Sequence, residues 1–375
     1  MDILHIGALL FILLAVAGVA VYIYRFIVRI GKNLNITINN KWAKLATILV
    51  SIALFWCCVS LFSIGAIALL HFVGLSMLTD IVDYIVKRVK KNRYSELKIW
   101  NKLYKICVIP LVLTVGFMVY GYMNMMNIVE TSYTIDTEKN IRAEGYRIGL
   151  VADIHFGISL DVDEFQKVCD EISSKNIDIM VLCGDIVDEG ASLEQMQQVF
   201  KMLSSINSKY GTYYVYGNHD RQSYKMDKSY TVEQLNEAIT ANGIKILADE
   251  VVTINDEIIL VGRKDTSMTG DTNRVSIEKL LEGKDKDKFI LTLDHQPKNY
   301  DENVKAGTDL LLSGHTHGGQ IWPINMLFEI IKFDDEVYGL TNIGEFNGIV
   351  TSGVAGWGFP VKTCAKAEYV IVDVK

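Results

Sequence analysis

Apolar residues fall along this chain in two different rhythms. Up to about residue 126 they form long unbroken runs. No charge occurs from Ile3 to Ile23, where His5 is the one awkward residue. A second uncharged stretch runs from Leu45 to Thr79 and continues through Asp80 and Asp83 to Val86. A third runs from Ile106 to Val129. A bilayer-spanning helix takes roughly 20 apolar residues, and uncharged runs this long are rare in soluble helices. Residues 1–126 therefore read as a transmembrane helical region of three to four spans. A cleaved signal peptide is disfavoured, because no basic n-region precedes the first run and further spans come after it.

The middle run is long enough for one helix, or for two joined by a tight turn near Ser63-Ile64-Gly65. Flanking charge chooses between them. Arg25, Arg29, Lys32, Lys41 and Lys44 separate the first and second runs with no acid among them. Lys87, Arg88, Lys90, Lys91, Arg93, Lys98, Lys102 and Lys105 precede the last run, opposed only by Glu96. Basic loops stay in the cytoplasm, and a hairpin keeps both inside. The charge pattern thus predicts four spans, an outside N-terminus and a multi-pass protein of the cell membrane. The chain beyond the last span would then lie on the extracytoplasmic face. Asp80 and Asp83 read as interfacial carboxylates beside Lys87 and Arg88.

After residue 126 the rhythm shortens. Residues 127–145 read as a linker, and 146–375 as an α/β domain of alternating strands and helices. Strands are predicted at Tyr146–Ala152, Asp178–Cys183, Thr212–Tyr216, Phe289–Leu293, Asp309–Leu312 and Glu368–Val374, with paired strands around Asn255-Asp256. Helices are predicted at Asp161–Ser174, Ser192–Ile206 and Thr231–Asn242.

Composition narrows the picture. Half of the residues are hydrophobic and 22% are charged, which excludes a disordered chain. A net charge of -7 argues against a basic nucleic-acid-binding surface. No nucleic-acid partner and no protein partner are predicted. The six cysteines have no metal-like spacing and read as buried thiols.

The chemistry sits where strands stop. Asp153-Ile154-His155 ends one strand, and residues two apart in extended chain face the same way, so this pair can hold one ion. Gly184-Asp185-Ile186-Val187-Asp188 ends the next, and Gly217-Asn218-His219-Asp220 a third. Asp294-His295 and Gly314-His315-Thr316-His317-Gly318-Gly319-Gln320 end two more. Ligand crevices of α/β sheets lie at the carboxyl ends of strands, so these clusters should converge. Arg263 also comes just after a strand and is either a phosphate partner or a surface cation. Trp322, Trp357 and Phe359 read as packing residues more readily than as an acyl-chain or membrane face, and Asp188 as a supporting or turn residue.

In this order, D-x-H, G-D-x-x-D, G-N-H-D, a lone His and G-H-x-H resemble the calcineurin-like metallophosphoesterases, over about Tyr146 to Val374. The tail of the last motif, with Gly353, Gly356, Gly358 and Pro360, looks like a membrane-associated bacterial branch. That branch includes transmembrane metallophosphoesterases and UDP-diacylglucosamine hydrolases. A basic residue usually comes soon after the proline there, and Lys362 is the nearest here. The resemblance implies a four-layer αββα sandwich and two divalent ions, Mn, Fe or Zn, which suit mixed O and N ligands. Asp153, His155, Asp185 and His317 would hold one. Asp185, Asn218, His295 and His315 would hold the other. The ions would share and acidify a water for in-line attack on phosphorus. His219 would serve the leaving oxygen, with Asp220 orienting its ring. The expected activity is hydrolysis of a phosphomonoester, phosphodiester or pyrophosphate bond, with the lipid bilayer as partner and an amphipathic or lipid-linked substrate. The alternative is a membrane scaffold or receptor whose phosphoesterase-like domain binds metal without turnover.

Overall fold

The computed structural model describes residues 19–33, 63–157, 160–269, 273–331 and 334–375, with isolated positions between 41 and 52. The chain divides into two compact units, Met1–Tyr120 and Gly121–Lys375.

In the first unit, helix α1 covers residues 19–33, α2 Ile64–Lys90, α3 Lys98–Lys105 and α4 Val108–Met126. Most of the first apolar run, His5 included, lies outside the described residues. So does the first half of the expected hairpin, apart from isolated helical positions. Ser63 is extended, and its hydroxyl accepts from the Ala66 amide at 3.1 Å. That is an N-cap, so a helix starts where the turn was expected. Lys87, Arg88 and Lys90 crowd the last turn of α2, where cations complement the helix dipole. Among the described residues, two helices are long and apolar enough to cross a membrane: Ile64–Glu96, which is α2 with the 3₁₀ turn after it, and α4.

Asp80 and Asp83 correct the sequence reading in part. Asp83 does pair with Lys87, at 2.6 Å. Asp80 pairs instead with Arg29, at 3.1 Å, and also accepts from the hydroxyls of Tyr22 and Tyr104.

The second unit takes the last residues of α4. Its strands are β1 (Val129–Ile135), β2 (Tyr146–Val151), β3 (Ile179–Cys183), β4 (Thr212–Val215), β5 (Lys245–Ile246), β6 (Glu250–Ile254), β7 (Ile258–Gly262), β8 (Phe289–Leu293), β9 (Leu310–Ser313), β10 (Gly339–Ile343), β11 (Phe346–Val350) and β12 (Glu368–Val374). They form two mixed six-stranded sheets, ordered β1-β12-β2-β3-β4-β5 and β10-β11-β9-β8-β7-β6. The strand period of two sorts the side chains. Ile148 and Leu150, Ile179 and Val181, Tyr213 and Val215, and Val370 and Val372 meet Ile258, Leu260, Phe289, Leu291, Leu310 and Leu312 in one core shared by the two sheets. The alternate residues Met180, Leu182, Tyr214 and Ile371 pack with Phe165, Val199, Phe200 and Ile239. Those partners come from helices Val162–Ser173, Leu193–Leu203 and Val232–Ala241. On the second sheet, Ile259, Val261 and Ile290 pack with Ile277, Leu281 and Ala306. Strands buried on both faces read as continuous apolar runs, which is why β3 and β8 are plain in the sequence.

The expected linker 127–145 is corrected. It contains β1, which pairs in parallel with β12 from Val129 opposite Glu368 to Ile135 opposite Val374. Its outer residues Glu130, Ser132 and Thr134 are exposed and interrupt the apolar pattern. The boundary also lies earlier than 126. Gly121 accepts from the Lys362 amide at 3.0 Å, and Asn124 Nδ2 donates to the carbonyls of Lys362 and Ala365 at 2.9 and 2.8 Å.

Candidate metal centre

β2, β3 and β4 run parallel in one sheet, and β7, β8 and β9 in the other. The polar turns after five of these strands meet at their carboxyl ends. The backbone there is unusual. Asp153, His155, Asp185, His315 and His317 all have positive φ, between 45° and 75°. Non-glycine residues rarely adopt that region, and such strain gathers at functional sites. Glycine makes the approach possible. A Cβ on Gly184 would lie 2.6 Å from His295 Nδ1, and one on Gly217 would lie 2.1 Å from Asp185 Oδ1.

Among the described residues three groups of donor atoms lie within 4.8 Å of one another: Asp153, His155 and His317 first, Asp185, His295 and His315 second, and Asp188, Glu189 and His219 beside them. In the first, His155 Nε2 stands 3.1 Å from His317 Nε2. The opposite ring nitrogens are spoken for. His155 Nδ1 donates to Asp188 Oδ2 at 3.0 Å, and His317 Nδ1 to the Ala355 carbonyl at 3.2 Å. In neutral rings each Nε2 therefore carries a lone pair, and the two lone pairs face each other. Burial, with the neighbouring His155 and Lys362, holds His317 well below the ordinary imidazole value. In the second group, His295 Nδ1 donates to the Cys183 carbonyl at 2.8 Å. Asp185 Oδ2 lies 3.0 Å from His295 Nε2 and 3.8 Å from His155 Nε2, so one oxygen faces the first and second groups. Burial works to raise the Asp185 carboxyl, but His295 and His219 outweigh it and hold it well below the usual range. Asp153, buried and near Asp185, is pushed up to about 6. Its oxygens accept from the His315 amide at 2.9 and 3.1 Å.

These residues fit a pair of cations. Metal–nitrogen bonds of about 2.0–2.1 Å put adjacent ligands about 3 Å apart, the separation of the two Nε2 atoms. Asn218 Oδ1 is buried with no hydrogen-bond partner among the described residues, a costly state unless a cation answers it.

A family model described as calcineurin-like phosphoesterase matches residues 146–319. Those residues are a calcineurin-like phosphoesterase domain. The chain is 31% identical over 225 residues to an uncharacterized metallophosphoesterase of Helicobacter pylori, covering 59% of this chain and 58% of that protein. It is 28% identical over 259 residues to one of Aquifex aeolicus, covering 68% and 95%. It is 26% identical over 306 residues to a transmembrane protein with metallophosphoesterase domain of Danio rerio, covering 77% and 67%. The chain thus spans under two thirds of the Helicobacter relative's length.

The phosphoesterase domain corrects the expected partner of His219. Asp220 does not touch that ring. Its buried carboxylate accepts from four amides, Asp185 at 2.9 Å, Ile186 at 2.8 Å, Val187 at 3.1 Å and Gly217 at 2.6 Å, and so ties the turn after β3 to the turn after β4. Glu189 Oε2 takes the His219 Nδ1 hydrogen bond instead. Burial works to lower His219, but Asp185 and Glu189 outweigh it and push it up to about 9. The His219 ring lies 5.3 Å from Tyr224 and 5.4 Å from Trp357. Glu189 and Tyr224 were missed in the sequence, because neither belongs to a short His or Asp motif.

Asp188 supports His155. Arg263 is neither exposed nor turned to a free phosphate: it is buried, 3.4 Å from Asp294 Oδ2, and donates to the Val275 carbonyl at 3.1 Å. Lys362 is fully buried, with Nζ donating to the carbonyls of Ser352 and Gly353 at 2.5 and 3.3 Å. Phe359 is buried.

Proposed function

We propose that this chain is a membrane-anchored phosphoesterase working with two divalent metal ions, Mn, Fe or Zn. The opposed Nε2 atoms of His155 and His317 carry the reading, since two buried lone pairs 3.1 Å apart call for a cation. Asp153, His155, Asp185 and His317 would hold one ion, and Asp185, Asn218, His295 and His315 the other, with Asp185 between them. When bound, such a pair supplies an acidified water and neutralises phosphoryl oxygens.

The chain's own residues do the rest. Asp188 fixes the His155 tautomer so that Nε2 stays free to ligate. Glu189 fixes His219 through Nδ1, leaving Nε2–H as the donor for the leaving oxygen. The Glu189 carboxylate beside the ring favours its protonated form. Asp220 holds the two turns that carry Asp185 and Asn218.

The substrate in this reading is a lipid-linked phosphomonoester, phosphodiester or pyrophosphate. The last residues of α4 enter the phosphoesterase unit and continue directly into β1. Such a connection favours a substrate presented by the bilayer through effective concentration. The two basic segments flanking the middle apolar run support four spans and an extracytoplasmic domain.

The test is metal analysis of the purified full chain, with turnover of bis(p-nitrophenyl) phosphate and of a lipid and nucleotide phosphoester panel in added manganese. Two metal equivalents and turnover highest on vesicular lipid substrates are expected. Absence of bound metal would overturn the site, and bound metal without turnover of any ester would favour the scaffold. Equal efficiency on soluble esters would overturn the lipid assignment.

A further inference from the structure

The segment that joins α2 to α4 forms a cleft of about 620 Å³ lined by Lys87, Tyr94, Ser95, Lys98, Asn101, Lys102, Tyr104 and Lys105. Two acids of α2, Asp80 and Asp83, are already engaged with residues of the cleft wall. Asp83 pairs with Lys87 at 2.6 Å and accepts from Tyr94 Oη at 2.6 Å and Trp100 Nε1 at 2.9 Å. Asp80 accepts from Tyr104 Oη at 2.8 Å and pairs with Arg29. These bonds fix the cleft's walls. They also leave Lys98, Lys102 and Lys105 without a carboxylate partner among the described residues. Three unanswered ammonium groups in one concavity, beside hydroxyl and amide groups, suit a phosphate-bearing anion.

The surroundings select a lipid over a soluble phosphate. The cleft lies in the link between the two helices long and apolar enough to cross a bilayer. Apolar side chains stand exposed in the same stretch: Val89 at 71%, Ile99 at 77% and Ile106 at 42%. α3 itself sets Lys98, Lys102 and Lys105 against Ile99, Trp100 and Leu103, the composition of a helix lying in the headgroup layer. We infer that this cleft binds the phosphate headgroup of an anionic phospholipid, with Ile99 and Ile106 against its acyl chains. The inference rests on the membrane reading of α2 and α4, and it is independent of catalysis.

The full chain in nanodiscs of phosphatidylcholine with a minor share of phosphatidylglycerol tests it, with native mass spectrometry reading the lipid retained. The triple substitution Lys98→Ala, Lys102→Ala and Lys105→Ala should weaken retention of phosphatidylglycerol on the order of 100-fold or more, as three direct charge-assisted contacts to its phosphate are lost. The substitution Lys90→Ala, Lys91→Ala and Arg93→Ala removes the same charge from residues outside the cleft and should change retention less than about threefold. Equal loss from both triples, or loss from neither, overturns the site. Lys102→Glu alone, a milder disturbance of the fold, should also lose retention, and normal retention by it counts against the site equally. Inorganic phosphate that raises the thermal midpoint in detergent as much as phosphatidylglycerol does overturns the lipid assignment. Turnover of bis(p-nitrophenyl) phosphate, measured in parallel, should stay unchanged in all three variants, so failure here is distinct from failure of the phosphoesterase reading.

Discussion

Two of the polar clusters among the described residues differ in how their hydrogen bonds are completed. Around Asp80 and Asp83 each carboxylate is answered by protein groups: Arg29, Tyr22 and Tyr104 for one, Lys87, Tyr94 and Trp100 for the other. Around Asp153 and Asp185 the protein leaves donor atoms facing one another. His155 Nε2 meets His317 Nε2, and Asn218 Oδ1 is buried with no hydrogen-bond partner among the described residues. A completed network holds its elements in place. An incomplete one, kept on a backbone with five positive-φ residues, is a place where something from outside the chain belongs.

The comparison breaks most sharply at one atom pair. Asp185→Asn removes the charge that faces both donor groups, so at least one of two metals and nearly all turnover should be lost, as read by metal analysis and kcat. Asp80→Asn removes a charge from the completed network. It should lower the thermal midpoint by an amount of order 1 kcal/mol and leave metal content and kcat within about twofold. Two retained metals with near-normal kcat in Asp185→Asn, or loss of metal in Asp80→Asn, would erase the distinction.

Much of the donor set was legible because strand ends announce themselves. β2, β3, β4, β8 and β9 are largely apolar, and glycine, aspartate or histidine comes within a residue or two of each, so the pattern alone places these turns at the carboxyl ends. β1 and the β10–β11 hairpin were not legible. Glu130, Ser132 and Thr134 alternate with half-buried residues on β1, and exposed Asn342 and Ile343 blur the pattern on β10. Supporting contacts were the hardest to read. Asp220 adjoins His219 in sequence, yet its carboxylate turns to backbone amides, while the residue that does touch His219 lies 30 positions earlier, at Glu189. Sequence adjacency says little about which side chains meet.

That exchange of partners is the next place to sharpen the contrast. His219→Ala should keep both metals and lose about 10²–10⁴-fold in kcat, the worth of a positioned general acid. Glu189→Gln keeps the ring and weakens its orientation, so a loss of about 10–100-fold in activity with metals retained is expected. Asp220→Asn should act on the fold instead. An amide group in place of one oxygen leaves backbone N–H groups unanswered, at about 1–3 kcal/mol each, and the thermal midpoint should fall. If Asp220→Asn keeps its thermal midpoint and loses rate as Glu189→Gln does, Asp220 orients His219 after all. If metal content falls together with rate in His219→Ala, then His219 is a ligand.

The smallest effect lies at a carboxylate between the two extremes. Asp309, just before β9, accepts from the Ile290 amide at 2.7 Å, and Lys139 is 3.8 Å from its other oxygen. Burial pushes it up to about 6, against the pull of the Ile290 hydrogen bond and Lys139. The folded chain therefore binds this proton more tightly than the unfolded chain does. Its contribution to stability is fully present below the ordinary carboxyl range of about 4 and is lost as pH rises through about 6. Asp309→Asn keeps an oxygen for the Ile290 amide and removes the titration. Relative to the parent chain, the variant should gain stability as pH rises from 5 to 7, by about 1 kcal/mol at most, read as the difference between their thermal midpoints at the two values. A difference that stays constant with pH, or moves the other way, would place Asp309 with the fully answered carboxylates of the helical unit.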